Sequence, residues 1–364
     1  MHEAIPQRKA RYPLIDVPAT AEYIASVQKE DGEIPWSAGG KTDPWDHVES
    51  AMGLTVGGYT EEAARAYTWS ARTQQEDGSW WSYYRDGNPI PEAYKDTNMT
   101  SYIAVGVFHY YLATGDYVFL RRMWPMVEKA LDYVIGLQAD EGQVYWAKRA
   151  DGSVDRKALL TGSCSIYLSL GCGLRTASLL GVEKPPWEIA RAKLGDAIRY
   201  RPTLFDQSKS RFSMDWYYPV LCGALKGNEA QRRFRAGWST YVVDGWGALC
   251  VTDSPWVTMA ETAELVVALA ATGEMKTAET VFSWLPERRY EDGAFWTGVT
   301  VPDEIIYTEE KTAWTGAAVL LAADILYDLT SASRFFSHAF WKPFPLSSRR
   351  EKPRQGVGSR SEHF

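Results

Sequence analysis

A short loop returns along this chain at intervals of roughly 50 residues, and repetition at such a period marks stacked helical pairs, none of which can bury its apolar face alone. Gln28-Lys29-Glu30-Asp31-Gly32 runs on to Trp36, and Gln74-Gln75-Glu76-Asp77-Gly78-Ser79-Trp80 repeats it. Gln138-Ala139-Asp140-Glu141-Gly142 leads to Trp146, Asp244-Gly245-Trp246 echoes it, and Glu291-Asp292-Gly293-Ala294-Phe295-Trp296 gives it again. Each copy follows one helical pattern and precedes another.

Apolar periodicity predicts twelve helices, near 18–29, 46–56, 61–75, 97–114, 118–138, 160–180, 187–199, 213–225, 229–242, 256–272, 275–286 and 310–329. Short links such as Gly57-Gly58-Tyr59-Thr60, Thr114-Gly115-Asp116, Gly181-Val182, Lys226-Gly227 and Thr272-Gly273 alternate with the long Asp-Gly loops, and glycine there suits helix C-caps. Helices reached from the long loops are apolar and rich in small residues, as in Thr161 to Leu174, and read as an inner ring. The others carry charge on one face, as in Pro125 to Tyr133, and read as an amphipathic outer ring. The expected fold is all-α, an (α/α)6 toroid of six helical hairpins in one domain over 1–335. An open solenoid would leave apolar ends, and neither terminus reads as a cap. Residues 336–364 include the polar, basic stretch Leu346 to Gly356 and are expected to be a flexible tail without a catalytic role.

The formal charge of -7 argues against nucleic acid as a partner, because phosphate binding needs concentrated Lys and Arg. The cysteines at 164, 172, 222 and 250 match neither a zinc spacing nor a disulfide framework. No signal peptide and no membrane-length apolar run is read in the chain, so a cytoplasmic protein is expected. The anomaly is aromatic: 16 Trp and 21 Tyr, many in Gly- and Asp-rich loops where core packing demands them least. Flat rings beside acids suit a sugar, which offers C–H faces to stack and hydroxyls to bond.

In a toroid the long loops and the N-termini of the inner helices meet at one mouth. Six segments are expected there: Asp43 to Glu49, Tyr94 to Asn98, Thr161 to Ser165, Ser213 to Tyr218, Thr252 to Glu261, and Asp303 to Thr312. Five of the six bring carboxylates. Singly, Asp46, Asp96, Asp253 and Thr308 are ordinary N-cap candidates, and Thr258…Glu261 is a capping-box pattern. Together they would repel, a cost that points to a ligand. Asp46 and Glu49 share a helix face. His47 is the one histidine in a mouth position. Asp215 lies among Trp216, Tyr217 and Tyr218, a setting that raises a carboxylate pKa as a general acid requires.

The chain resembles the six-hairpin (α/α)6 glycosidase superfamily, nearest to the glucoamylase-type hydrolases. Pro302-Asp303-Glu304-Ile305 with Thr312-Ala313-Trp314-Thr315-Gly316-Ala317-Ala318 resembles that family's last inner hairpin, and Ser163 to Leu180 its central helix. The resemblance implies that Glu304 is the base that activates water. It also implies a general acid after a Trp, where this chain has Trp146-Ala147. The acid must then lie elsewhere, with Asp215 ranked first and Asp96 second. Asp46 and Glu49 are expected to bind hydroxyls, and Trp36, Trp80, Trp216, Trp256 and Trp296 to stack on sugar rings. Trp45, His47, Glu261 and Glu309 complete the expected binding set. No metal or organic cofactor is required. The expected function is hydrolysis of an oligosaccharide or glycoconjugate by two carboxylates. Loss of the acid at Ala147 leaves an inactive glycan-binding toroid as one alternative. The Gln-x-x-Asp-Gly-Ser-Trp stretch also resembles the squalene–hopene cyclase and prenyltransferase toroids. No Asp-x-Asp-Asp acid motif or zinc site supports that isoprenoid reading.

Overall fold

A computed structural model describes residues 13–341 of the chain. Its helices are α1 (Val17–Val27), α2 (Pro44–Val56), α3 (Thr60–Thr73), α4 (Thr97–Ser101), α5 (Ile103–Thr114), α6 (Tyr117–Ile135), α7 (Leu160–Leu179), α8 (Pro185–Tyr200), α9 (Ser213–Leu221), α10 (Gly227–Tyr241), α11 (Met259–Thr272), α12 (Met275–Phe282) and α13 (Ala313–Tyr327). The helices α4 and α5 are one rod interrupted at Tyr102, so twelve rods alternate among the described residues. Local chemistry sets their ends. Asp16, Asp43, Asp96 and Asp116 cap α1, α2, α4 and α6 by accepting from the N–H three residues on. Gly115 and Gly273 close α5 and α11 at φ 72° and 91°.

The inner helices touch in a closed cycle: α2 packs on α5, α5 on α7, α7 on α9, α9 on α11, α11 on α13, and α13 returns to α2. That last contact makes the array a ring rather than a solenoid. It is close because Gly53 carries no side chain: a Cβ there would lie 2.6 Å from Ala317 Cβ. The inner helices α11 and α13 are buried along nearly their whole length, whereas α3, α10 and α12 bury single faces.

The recurrent loop now has a physical cause. Gln28 Nε2 donates to Gly32 O of its own loop and to Glu62 O of α3. Gln74 bridges Gly78 O and Met126 O of α6 in the same way, and Gln138 bridges Gly142 O and Ala190 O of α8. The glycines have φ of 97°, 90° and 107°, and a Cβ on any of them would come within 2.3–2.5 Å of a carbonyl oxygen of that outer helix. In these three loops the motif therefore ties one hairpin to the next.

The all-α expectation needs one amendment. The long loops carry small antiparallel sheets, of which the largest joins 242–243, 247–249, 256–258, 298–300 and 305–306. It takes Trp256–Thr258 out of the helix expected from 256, so α11 begins at Met259. The opposite end of the ring is closed by the segment after α13. His338 N–H donates to Ala271 O, its Nε2 meets Val220 O, and Trp341 packs among Phe108, Phe335 and Phe340. Residues 336–341 thus dock on the domain instead of starting a tail, because this aromatic cluster covers the C-terminal ends of inner helices. The rest of the expected tail, 342–364, lies outside the described residues.

Candidate active site

At the N-terminal ends of α2, α4, α7 and α9 the ring opens into a cavity of ≈ 280 Å³. Trp45, Trp146, Asp96, Asn98, Thr161 and Asp215 contribute to its wall. Asp96, 8% exposed, accepts from Met99 N–H at 3.0 Å. Burial pushes its carboxyl up to about 7 against those backbone donors. Asp96 is the register partner of Ala147 across a short antiparallel pair. The neighbouring strand thus brings a carboxylate beside the position where the glucoamylase-type pattern has its acid. Asp215 accepts from both the N–H and the hydroxyl of Thr161, at 3.1 and 2.6 Å, and burial raises its pKa.

A second group of acids projects from α2 and α11. The cap Asp43 accepts from Asp46 N–H at 2.9 Å and from Trp36 Nε1 at 2.6 Å. Asp46 lies one turn on. Burial, then the charges of Asp43 and Glu49, hold its carboxyl well above the ordinary range. Glu49 is raised by burial and by the charge of Glu264. Glu264 accepts from the hydroxyls of Tyr217 and Tyr218, and burial carries it to about 8. Glu261, 8% exposed on the first turn of α11, has a buried Oε2 with no hydrogen-bond partner. Below, Glu49, Glu264, Tyr102 and Phe336 surround a void of ≈ 10 Å³, about the room of one water.

The structure therefore gathers Trp45, Asp96 and Asp215 round the cavity, and Asp46, Glu49 and Glu261 in one acid group. It puts other expected residues elsewhere. His47 is 1% exposed, with Nδ1 accepting from Ile34 N–H and Nε2 on Ala66 O; burial lowers it to about 4. It is a core histidine between backbone groups. Trp80 is 2% exposed and donates to Ser70 O. Trp216 donates to Arg233 O and stacks on Tyr241 of α10, facing the outer ring. Trp36 braces Asp43. Trp256 donates to Tyr307 O at 2.5 Å within the loop sheet, and Trp296 is half-buried. Glu304 and Glu309 are exposed, and Glu304, at φ 57°, occupies the turn joining the strands at 298–300 and 305–306. Neither lines the cavity. Sequence reasoning missed Asp43 and Glu264 as site groups. The available signals were Asp-Pro at a helix start and two glutamates three apart in an otherwise apolar helix.

Acids gathered with tryptophans at the mouth of a helical toroid suit a carbohydrate ligand, and likeness to known proteins gives the class, a carbohydrate-hydrolysing enzyme. No protein-family model matches the chain. An MMP endo-(1,4)-3-O-methyl-alpha-D-mannosidase of Mycolicibacterium hassiacum is 47% identical over 317 residues, 87% of this chain and 88% of that protein. A glycosidase variant in complex with glucose superposes with a TM-score of 0.68 at 16% identity, over 87% of this chain and 97% of that one. A GH63 mannosylglycerate hydrolase of Thermus thermophilus gives 0.66 at 12% identity, over 84% and 99%. A sugar epimerase from a ruminal bacterium gives 0.64 at 12% identity, over 83% and 95%, so the structural likenesses speak to the fold. The chain belongs to the family of the Mycolicibacterium mannosidase and is a glycoside hydrolase. Among the described residues no helix is long and apolar enough to cross a membrane.

Proposed function

We propose that this enzyme cleaves internal 1,4 linkages in a chain of 3-O-methyl-α-D-mannose, with Asp46 as general acid and Glu261 as the base that activates water. The observation that carries the residue assignment is the Asp43–Asp46 pair. Two neighbouring buried carboxyls disfavour a second charge, and Asp46 is held well above the ordinary range by burial and by Asp43 and Glu49, whereas Asp43 accepts from Trp36 Nε1 and Asp46 N–H, contacts that favour its anion. A general acid needs a proton it can give up to the leaving oxygen. Asp96 is held near 7, but its carboxyl is committed to the α4 cap through Met99 N–H. Glu261 Oε2 on α11 is buried and makes no hydrogen bond within the protein, so no protein donor competes for the lone pair that would take the proton. Asp96 and Asp215, at the cavity wall, bind sugar hydroxyls. The 47% identical endo-(1,4)-3-O-methyl-alpha-D-mannosidase supports this substrate.

Reducing ends released from a 3-O-methyl-α-1,4-mannooligosaccharide test this. Asp46→Asn and Glu261→Gln should each lower kcat by about 10²–10⁴, Asp46→Asn least on substrates with good leaving groups. Glu304→Gln should fall by less than tenfold. A direct displacement by water also requires inversion, so NMR should show the β-anomer first. Loss of activity in Glu304→Gln with Glu261→Gln intact would return the base to Glu304.

A further inference from the structure

Asp215 lines the cavity, and the backbone that carries it lacks a helical bond. In a regular helix the carbonyl of Asp215 would accept from the N–H of residue 219. Residue 219 is a proline inside α9, so that donor does not exist. Arg233 of the outer helix α10 supplies another. Its Nη2 donates to Asp215 O at 2.6 Å, and its Nε donates to Trp216 O at 2.6 Å. Trp216 Nε1 returns a bond to Arg233 O at 2.8 Å. Gly237 makes room for that indole, since a Cβ there would lie 2.3 Å from Trp216 Nε1. The clamp commits a guanidinium to two carbonyls, in a place where burial disfavours its charge. Arg233 itself does not line the cavity, so its route there is through Asp215. The carboxyl end of Asp215 is held from α7. Thr161 N–H and Thr161 Oγ1 both donate to Oδ1, which leaves Oδ2 for a ligand.

We propose that Arg233 is a positioning residue for substrate binding. It replaces the donor that Pro219 removes, fixes the first turn of α9, and so holds Asp215 Oδ1 against Thr161 with Oδ2 kept for a sugar hydroxyl. The proposal rests on the reading above that Asp215 binds such a hydroxyl. Without the clamp the Asp215 carbonyl would lose its donor, and the turn would be free to shift. A misplacement of about 1 Å in a site of this kind can cost about 10²-fold.

The experiment measures KM, kcat and Tm on a 3-O-methyl-α-1,4-mannooligosaccharide for the unmodified enzyme, Arg233→Met, Asp215→Ala, Pro219→Ala and the two double variants that contain Arg233→Met. Methionine keeps the packing of the arginine stem and removes its donors. Arg233→Met should raise KM by about tenfold with little change in kcat. It should add nothing to the effect of Asp215→Ala, because it acts through that carboxyl. Pro219→Ala restores an N–H at 219 and should recover most of the KM lost in Arg233→Met. Arg233→Lys keeps one donor and should fall between arginine and methionine; it takes the same tests if methionine prevents folding. An arginine that only stabilised the fold would lower Tm and leave KM alone. Unchanged KM in Arg233→Met beside a raised KM in Asp215→Ala overturns the positioning role and leaves hydroxyl binding standing, and additive effects in their double variant do the same. Unchanged KM in Asp215→Ala overturns hydroxyl binding instead. Crystal structures decide the positioning without any substrate. The Thr161 N to Asp215 Oδ1 distance, 3.1 Å in the unmodified chain, should lengthen in Arg233→Met and shorten again when Pro219→Ala is added. An unchanged distance in Arg233→Met overturns the proposal.

Discussion

Glu264 offers a quantitative test of the buried acid group. Its folded-state carboxyl stands at about 8, against an ordinary 4.5, with burial as the first cause. A group raised in this way stabilises the fold fully below its unfolded pKa, and the stability is lost as pH rises through the folded value. Between pH 5 and pH 8 the folded chain holds the Glu264 proton while the unfolded chain has released it. At about 1.4 kcal/mol per unit, this one group withdraws about 3–4 kcal/mol over that interval. With an unfolding entropy of about 2 cal/mol/K per residue, the 364-residue chain should lose about 5 °C in Tm from this source. Glu264→Gln keeps the shape and an oxygen that accepts from Tyr217 or Tyr218, and it has no proton to lose. Asp96, Asp46 and Glu49 titrate in both proteins, so the diagnostic quantity is the difference between the two curves. Thermal melts from pH 5 to pH 8 should show the variant losing less Tm than the unmodified protein, by about 5 °C. Parallel curves would refute the claim that Glu264 is protonated in the folded ring.

Gly142→Ala should destabilise the chain by about 2–4 kcal/mol in urea unfolding, because φ is 107° and the added Cβ would sit 2.5 Å from Lys193 O of α8. A variant as stable as the original would show that this loop does not tie its hairpin to the next. Trp80→Phe should cost about 1 kcal/mol of stability, through the lost bond to Ser70 O, and leave KM for the oligosaccharide where it was. A KM raised tenfold at unchanged stability would put Trp80 back at the sugar.

The sequence by itself determined the architecture. Helix caps, apolar faces and Asp-Gly turns are local, and each hairpin repeats them, so the alternation of short and long links was enough to foresee six hairpins with an inner and an outer helix. It also put carboxylates and tryptophans in the long loops and just ahead of the inner helices. Where each of them sits was decided only by the tertiary structure. Trp80 and Trp146 follow the same repeated motif, yet one is buried on Ser70 O and the other lines the cavity. Glu304 stands in a motif-like segment, but the sheet formed by 242–306 carries it to an exposed turn. Asp46 reads as a helix cap until Asp43 proves to be the cap and Glu264, from a helix far along the chain, proves to share its surroundings. A cap needs only neighbours three residues away, whereas the protonation of a carboxyl depends on burial and charge supplied by several inner helices at once. Only closing the ring brings those together.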